Sequence, residues 1–530
     1  MSLARATAVM TFGTVLSRVT GLLRIAAIAA ALGVVENRLA DTYNLANTAP
    51  NIIYELVLGG VLTSVFVPVF VELLEKEGRD RAWEVASAII NLSLVVLVAM
   101  TSIGILAAPL IAKFYGTRFD GAGAARQLEI LTFLLRLFIP QIIFYGLAAL
   151  TAGLLNAHKR FGAPMYTPVL NNLAVIAVFI AFHQAYGNIH DLSQVTSTQL
   201  WVIGLGTTGG VALMALAQLP FLRGLGHYRL TFHAGHPAVK KLARLSIYVI
   251  GYVVANQIGY LVVQWLAAAE QGGYSAYINA FTFFLLPHGL FAVSVITALL
   301  PGMSGHAVNE RWDEFRERLS TGVRSTIFLV LPAAVGYFVL GDKIIRFLLE
   351  RGVMTSASTD LVAGVLRFFV IGLVPFSVFQ LFLRAFYALQ DTKTPFQINC
   401  LAVALNTIIN VPMFMWLGVK GLAAGHAAAY LFGVTLQGRA LSKRIGGIDG
   451  ARIARSVGRI AIAGIGMGFV VWATSAGLDR ALSSDSALSQ ALGVLIPVGA
   501  GALAYLGIAS AVDVEELSFV RGLLGGRLRK

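Results

Sequence analysis

The sequence predicts an all-α polytopic membrane protein with about fourteen transmembrane helices, forming two six-helix lobes and a C-terminal helix pair. Three observations carry that expectation. Of 530 residues, 57% are hydrophobic and 12% charged, roughly half the charged share of an ordinary soluble domain. Apolar stretches of about 20 residues, each long enough to cross a ~30 Å hydrocarbon core as a helix, recur along the chain with no long polar segment between them. Finally, two of these stretches repeat one another.

Polar breaks place the spans near 7–33, 43–74, 84–113, 128–155, 163–184, 199–221, 240–268, 274–303, 321–349, 361–389, 395–416, 420–441, 453–475 and 488–511. The first apolar stretch lacks a small-residue cleavage site after it, so it is expected to be retained as a span. The formal charge of +14 would suggest nucleic acid in a soluble chain. Here the basic residues sit in short connections, where they report topology and affinity for anionic headgroups, so no nucleic-acid partner is expected. With an even number of spans, both termini and the even-numbered connections share a face, and that face holds 26 of the 40 Lys+Arg against nine on the other. Both termini are therefore expected in the cytoplasm. Cys400 is the single cysteine, which excludes a disulfide framework and a thiolate metal site.

The repeat is read from FIPQIIFYGLAALTAGLLNAHKR in the fourth span and LVPFSVFQLFLRAFYALQDTKTP in the tenth. At an offset of 235 residues Pro140 matches Pro375, Phe144 matches Phe379 and Asn156 matches Asp391. Two halves of like topology then divide the chain into an N-terminal lobe over 1–236, a C-terminal lobe over 237–445, and the last two spans with a tail over 446–530. An axis along the membrane normal would relate the lobes, with a cavity between them.

Charges inside spans are the candidate functional residues, because each costs at least ~2.5–3.5 kcal/mol at a helix centre. Arg18 and Arg24 lie in the first span. Six residues apart, they diverge by about 120° and ~9 Å along an ideal helix, so they converge on one ligand only if Gly21 permits a bend. Paired guanidiniums on a cavity wall suit phosphate; the alternative is that Arg24 pairs with Glu55 while Arg18 snorkels to an interface. Glu55 is open to three readings: counter-ion, headgroup partner or protonatable switch. Arg384 and Arg367 lie in the tenth span. Asn406 and Asn410 share a helical face, and Asn256 lies mid-span in the seventh; these amides fit packing glue or a weak ion site. Glycine-rich segments lack the Gly-Lys-Ser/Thr element of a phosphate loop, and no catalytic motif is present, so the chain reads as a transporter and not an enzyme.

The chain resembles the MurJ (MviN) family of lipid II flippases, within the multidrug/oligosaccharidyl-lipid/polysaccharide exporter superfamily. The resemblance rests on Ser17-Arg18-Val19-x-Gly21-x-x-Arg24, Ala40-Asp41, Pro50-Asn51, Val67-Pro68, Leu155-Asn156-Ala157 with Arg160-Phe161, and Phe386-Tyr387-x-x-Gln390-Asp391-x-Lys393-Thr394-Pro395. It implies a central cationic cavity, a hydrophobic groove for the polyprenyl tail formed partly by the last two helices, and a bacterial inner-membrane location. Ser17, Arg18, Arg24, Asp41, Asn51, Glu55, Thr282 and Arg384 are then the expected substrate-binding set. Family members often carry arginine where this chain has Tyr54 and Thr282, which leaves more of the diphosphate to Arg18 and Arg24. Some relatives bind sodium through the seventh, eleventh and twelfth spans, making Asn256, Asn406 and Asn410 the candidate ion residues here, without a carboxylate.

The expected activity is movement of undecaprenyl-diphosphate-disaccharide-pentapeptide from inner to outer leaflet by alternating access. It needs no cofactor and is coupled to membrane potential or a monovalent ion. A monomer in contact with lipid II, membrane lipids and cell-wall synthesis proteins is expected. The alternatives are a flippase for another polyprenyl-diphosphate sugar, a cation-coupled drug exporter, or a non-transporting scaffold of wall synthesis.

Overall fold

The computed structural model describes residues 3–55, 67–121, 123–189, 191–232, 253–481 and 486–517. Among these residues every regular element is helical and no strand occurs, as bilayer-spanning backbone requires when all its polar groups must be satisfied within the chain. The helices are α1 Leu3–Leu32, α2 Leu39–Tyr54, α3 Val67–Lys76, α4 Arg79–Gly116, α5 Ala124–Phe138, α6 Gln141–Ala157, α7 Gly162–Tyr186 and α8 Ser197–Leu216. They continue with α9 Val253–Ala267, α10 Gly273–Pro287, α11 Val293–Val308, α12 Trp312–Leu349, α13 Ser356–Ile371 and α14 Leu373–Ala388. The last four are α15 Lys393–Leu417, α16 Val419–Ile445, α17 Gly450–Ala481 and α18 Ala487–Ala511.

Ten described helical stretches are long and apolar enough to cross a bilayer, and the bent pair α13–α14 makes an eleventh. Parts of the expected second and seventh spans, 56–66 and 240–252, lie outside the described residues. The expected twelfth span is α16, a 27-residue helix whose Lys420, Arg439, Lys443 and Arg444 dilute its apolar content.

The chain forms two compact units. The first comprises 1–275 with 351–355, and the second 276–350 with 356–530. The expected lobe boundary at 236/237 falls outside the described residues. In the first unit α1 packs on α7, α7 on α8, and α2 on α5. Close approach is made by small residues, as is usual where lipid offers no hydrophobic drive to association. A Cβ on Gly206 would lie 2.5 Å from Val178, so α8 sits directly against α7 there. In the second unit α12 is central, touching α11, α13, α14, α17 and α18.

The repeated segments share a break. α5 and α6 part at Ile139-Pro140, and α13 and α14 part at Gly372, three residues before Pro375, with a 48° bend. Proline lacks the N–H that would continue the ladder. A Cβ on Gly372 would meet the Ala427 backbone at 2.7 Å, so the second break also admits α16. After Pro287 the helix widens into a π turn over His288–Ala292 before α11, a local unwinding of the kind proline provokes.

Candidate functional site

α1 is one helix from Leu3 to Leu32 with no break at Gly21; along an ideal helix Arg18 and Arg24 diverge. α1 is tied to α7 instead: the Asn172 amide donates to the Ser17 carbonyl at 3.2 Å and to Thr20 Oγ1 at 3.0 Å. Ser17 thus serves the helix contact through its backbone. Arg18 is partly exposed.

Arg24 has a different setting. Its Nε is buried without a hydrogen-bond partner, and its charge acts on the hydroxyls of Tyr43 and Tyr145. Tyr145 from α6 bonds to Asn51 of α2, and its ring lies 5.8 Å from that of Tyr54. Tyr43 shares a 2.9 Å hydrogen bond with Thr207 of α8. The Arg24 charge therefore acts on two tyrosine hydroxyls, one of them bonded to the Asn51 side chain, with no carboxylate among its described partners. Glu55 is exposed at the end of α2 and makes no ion pair with Arg24. The proposed counter-ion pairing is absent, and a half-buried arginine whose Nε is buried without an acceptor is what a bound anion would complete. Tyr43 and Tyr145 were not singled out from sequence, since an aromatic residue in an apolar span carries no sign of the face it presents.

Asp41 is buried, with 1% of its surface exposed. It stands in the first turn of α2, ahead of the second span. Its Oδ2 accepts from Gly272 N at 2.6 Å and its Oδ1 from Ser275 N at 2.8 Å, capping the amino end of α10. A carboxylate there satisfies free helical N–H groups and complements the helix dipole. Burial nevertheless dominates and raises its pKa to about 6, against the lowering effect of those bonds and of Arg38. Around it Asn44 donates to Ser275 Oγ (2.9 Å), Tyr274 to Thr48 (2.9 Å), Gln264 to Tyr274 (2.8 Å) and Tyr115 to Gln264 (2.7 Å). Nearby, Glu36 accepts from Val34 N at 2.6 Å and from Thr355 N at 2.7 Å, seating segment 351–355 on the α1–α2 connection.

Of the remaining expected site residues, Thr282, Arg384, Asn406 and Asn410 belong to the second unit. Thr282, on α10, returns its hydroxyl to the Ile278 carbonyl of its own helix at 2.9 Å. Arg384 on α14 is exposed, with its guanidinium carbon 5.8 Å from the Tyr387 ring centre. Arg367 pairs with Asp342. Asn406 and Asn410 bond to each other reciprocally at 3.3 and 3.1 Å and pack on Gly425, while Asn256 belongs to the first unit. No group of three or more His, Cys, Asp or Glu able to hold a metal occurs among the described residues.

The second unit also holds an open apolar groove of about 330 Å³. It is lined by Ile327, Leu331 and Phe338 of α12, by Val370 of α13 and Val374 of α14, and by Val457 and Ala461 of α17.

A family profile described as "Lipid II flippase MurJ" matches residues 28–489. The chain belongs to the MurJ family. A probable lipid II flippase MurJ of Rhizobium meliloti (strain 1021) is 30% identical, covering 98% of this chain and 96% of that protein. The lipid II flippase MurJ of Burkholderia cenocepacia is 29% identical over 80% of each. Among solved structures, a MurJ in the inward closed conformation superposes with a TM-score of 0.76 at 24% identity, over 97% of this chain and 99% of that one. An inward-facing MATE multidrug transporter of the MOP superfamily follows at 0.65 and 13% identity, over 81% and 94%. The MurJ match and the MATE-like fold make this a multi-pass membrane protein of transporter architecture. The MurJ profile starts four residues beyond Arg24, so the first-span arginines stand outside it, although the R. meliloti alignment takes in nearly the whole chain.

Proposed function

We propose that this protein flips lipid II, the undecaprenyl-diphosphate-disaccharide-pentapeptide, from the inner to the outer leaflet of the bacterial cytoplasmic membrane by alternating access. The observation that carries the reading beyond family membership is Arg24, whose Nε is buried and unpartnered and whose charge acts on Tyr43 and on Tyr145, itself bonded to Asn51. A diphosphate supplies the acceptor oxygens and negative charge that this setting lacks, and the tyrosine hydroxyls and the Asn51 amide add donors around it. Arg18, on another face of α1, meets the lipid on its approach. The apolar groove beside α17 takes the polyprenyl chain, whose burial is worth about 0.8 kcal/mol per methylene. Both termini lie in the cytoplasm, on the side richer in Lys and Arg.

The protein acts as a monomer and as a transporter without a catalytic step. Membrane potential supplies the drive, at ~2.3 kcal/mol per elementary charge per 100 mV. The described surroundings of Asn406 and Asn410 do not fit a sodium site. The Asn406 and Asn410 amides are spent on each other, and no carboxylate stands among their described partners, whereas hard cations need oxygen ligands with charge. Asp41 acts as a protonatable cap on α10 and not as a headgroup ligand.

The test is growth of a strain depending on this gene. Arg24→Ala is expected to abolish growth and Arg24→Lys to restore it partly, since lysine keeps the charge and loses the fork. Full growth with both variants, at normal protein abundance, removes Arg24 from the substrate site.

A further inference from the structure

A glycine-rich segment of α8, Gly204-Leu205-Gly206-Thr207-Thr208-Gly209-Gly210, carries two threonines that the transport reading does not use. Its glycines admit close neighbours: a Cβ on Gly204 would lie 2.3 Å from Leu137 of α5, and one on Gly210 2.7 Å from Asn171 of α7. Consecutive residues of a helix point about 100° apart, so the two hydroxyls serve different neighbours. Thr207, 3% exposed, shares a 2.9 Å hydrogen bond with the Tyr43 hydroxyl of α2. Thr208 donates to the Leu137 carbonyl at 2.8 Å and accepts from Gln141 Nε2 at 3.1 Å.

Thr208 thereby spans the break at Ile139-Pro140. Leu137 stands in the last turn of α5, where carbonyls lose their helical partners, and Gln141 opens α6. Gln141 also donates to Asn47 Oδ1 of α2 at 3.4 Å. One turn further along both helices, Tyr145 bonds to Asn51. Two rungs, Asn47 to Gln141 and Asn51 to Tyr145, therefore join α2 to α6. Both tyrosines on which the Arg24 charge acts belong to this frame, Tyr43 held by Thr207 and Tyr145 one turn beyond Gln141. Gln141 is fully buried, and its Oε1 has no hydrogen-bond partner. A leucine of similar size would remove that unsatisfied acceptor, so helix packing alone does not explain an amide at this position.

We propose that Thr207, Thr208 and Gln141 are positioning residues of the headgroup site: they fix the register of α2 and α6 across the Pro140 break and so set the Tyr43 and Tyr145 hydroxyls for the group that Arg24 binds. This rests on Arg24 binding the diphosphate.

The test measures lipid II affinity and melting temperature of the full-length protein in nanodiscs. Thr207→Val and Gln141→Leu keep side-chain volume and remove the hydrogen bonds. Each is expected to weaken lipid II binding by about fivefold, the equivalent of one neutral hydrogen bond, with melting temperature within a few degrees of the parent. Thr207→Ser, which keeps the hydroxyl, is expected to bind as the parent does. In a Tyr145→Phe background Gln141→Leu is expected to add little, because it acts through that hydroxyl. A role in packing alone would lower the melting temperature and leave the affinity of the folded protein unchanged. Parental affinity in either folded variant, Thr207→Ser as weak as Thr207→Val, or a full effect of Gln141→Leu beside Tyr145→Phe overturns the proposal. Should one variant not fold, the other decides it by the same ratio. Arg24→Ala separates the two claims. If it binds lipid II as the parent does, the Arg24 reading falls and the proposal with it; if it alone weakens binding, the Arg24 reading stands and the proposal is overturned.

Discussion

Replacing Asp41 by asparagine isolates the cost of a buried carboxylate. Burial raises its pKa from the ordinary 3.8 to about 6. The folded protein therefore binds this proton more tightly than the unfolded chain, and the associated stability is present at low pH and lost as pH rises from about 4 to about 6. A shift of about two units corresponds to about 3 kcal/mol, at 1.36 kcal/mol per unit. Asparagine keeps one acceptor oxygen for Gly272 N or Ser275 N and carries no charge, so the lost bond and the relieved charge burial offset one another near neutral pH. Asp41→Ala leaves both N–H groups without an acceptor, at about 1–3 kcal/mol each. The assay is thermal unfolding of the purified protein in detergent between pH 4 and 8. Parent minus Asp41→Asn is expected to fall across pH 4–6 and to be flat above, with Asp41→Ala the least stable of the three at every pH above 6. A difference curve with no slope over that interval refutes the account of the cap.

Other outcomes follow from the same geometry. Tyr145→Phe removes the hydroxyl between Arg24 and Asn51 and is expected to lower lipid II transport by about tenfold, the equivalent of one charge-associated hydrogen bond, without lowering melting temperature by more than a few degrees; unchanged transport contradicts the placement. Replacing sodium by potassium at constant membrane potential is expected to leave transport in proteoliposomes unchanged, and a steep sodium dependence contradicts the reading of Asn406 and Asn410 as a packing pair. Gly421→Ala puts a methyl group 2.0 Å from the Met413 carbonyl oxygen. It is expected to cost about 1–3 kcal/mol, read as lower abundance and melting temperature, with parental values contradicting the close α15–α16 contact.

Particular residues show what the sequence could and could not disclose. The helical membrane class was legible because hydropathy and length are local properties; the matched prolines at 140 and 375 were legible as a repeat, and the helix breaks beside them appear only in the structure. Asn406 and Asn410 were legible as one helical face, and they bond to each other. Arg24 was legible through the cost of a charge in an apolar span. Its neighbours Tyr43 and Tyr145 were not, because they come from α2 and α6 and hydropathy is silent on which aromatics face inward. Asp41 was picked out by the family resemblance, but its partners Gly272 and Ser275 lie more than 230 residues away and are backbone groups with no sequence signal. Thr207 and Thr208 passed unnoticed because a glycine-rich stretch of a span reads as close packing; only the fold reveals Tyr43 and Gln141 beside them.

The central claim is tested most directly by following labelled lipid II in cells depleted of this protein, with and without its return on a plasmid. The account predicts that depletion leaves lipid II in the inner leaflet and that the parent gene restores outward exposure while Arg24→Ala at equal abundance does not. Outward exposure that is unaffected by depletion would contradict it.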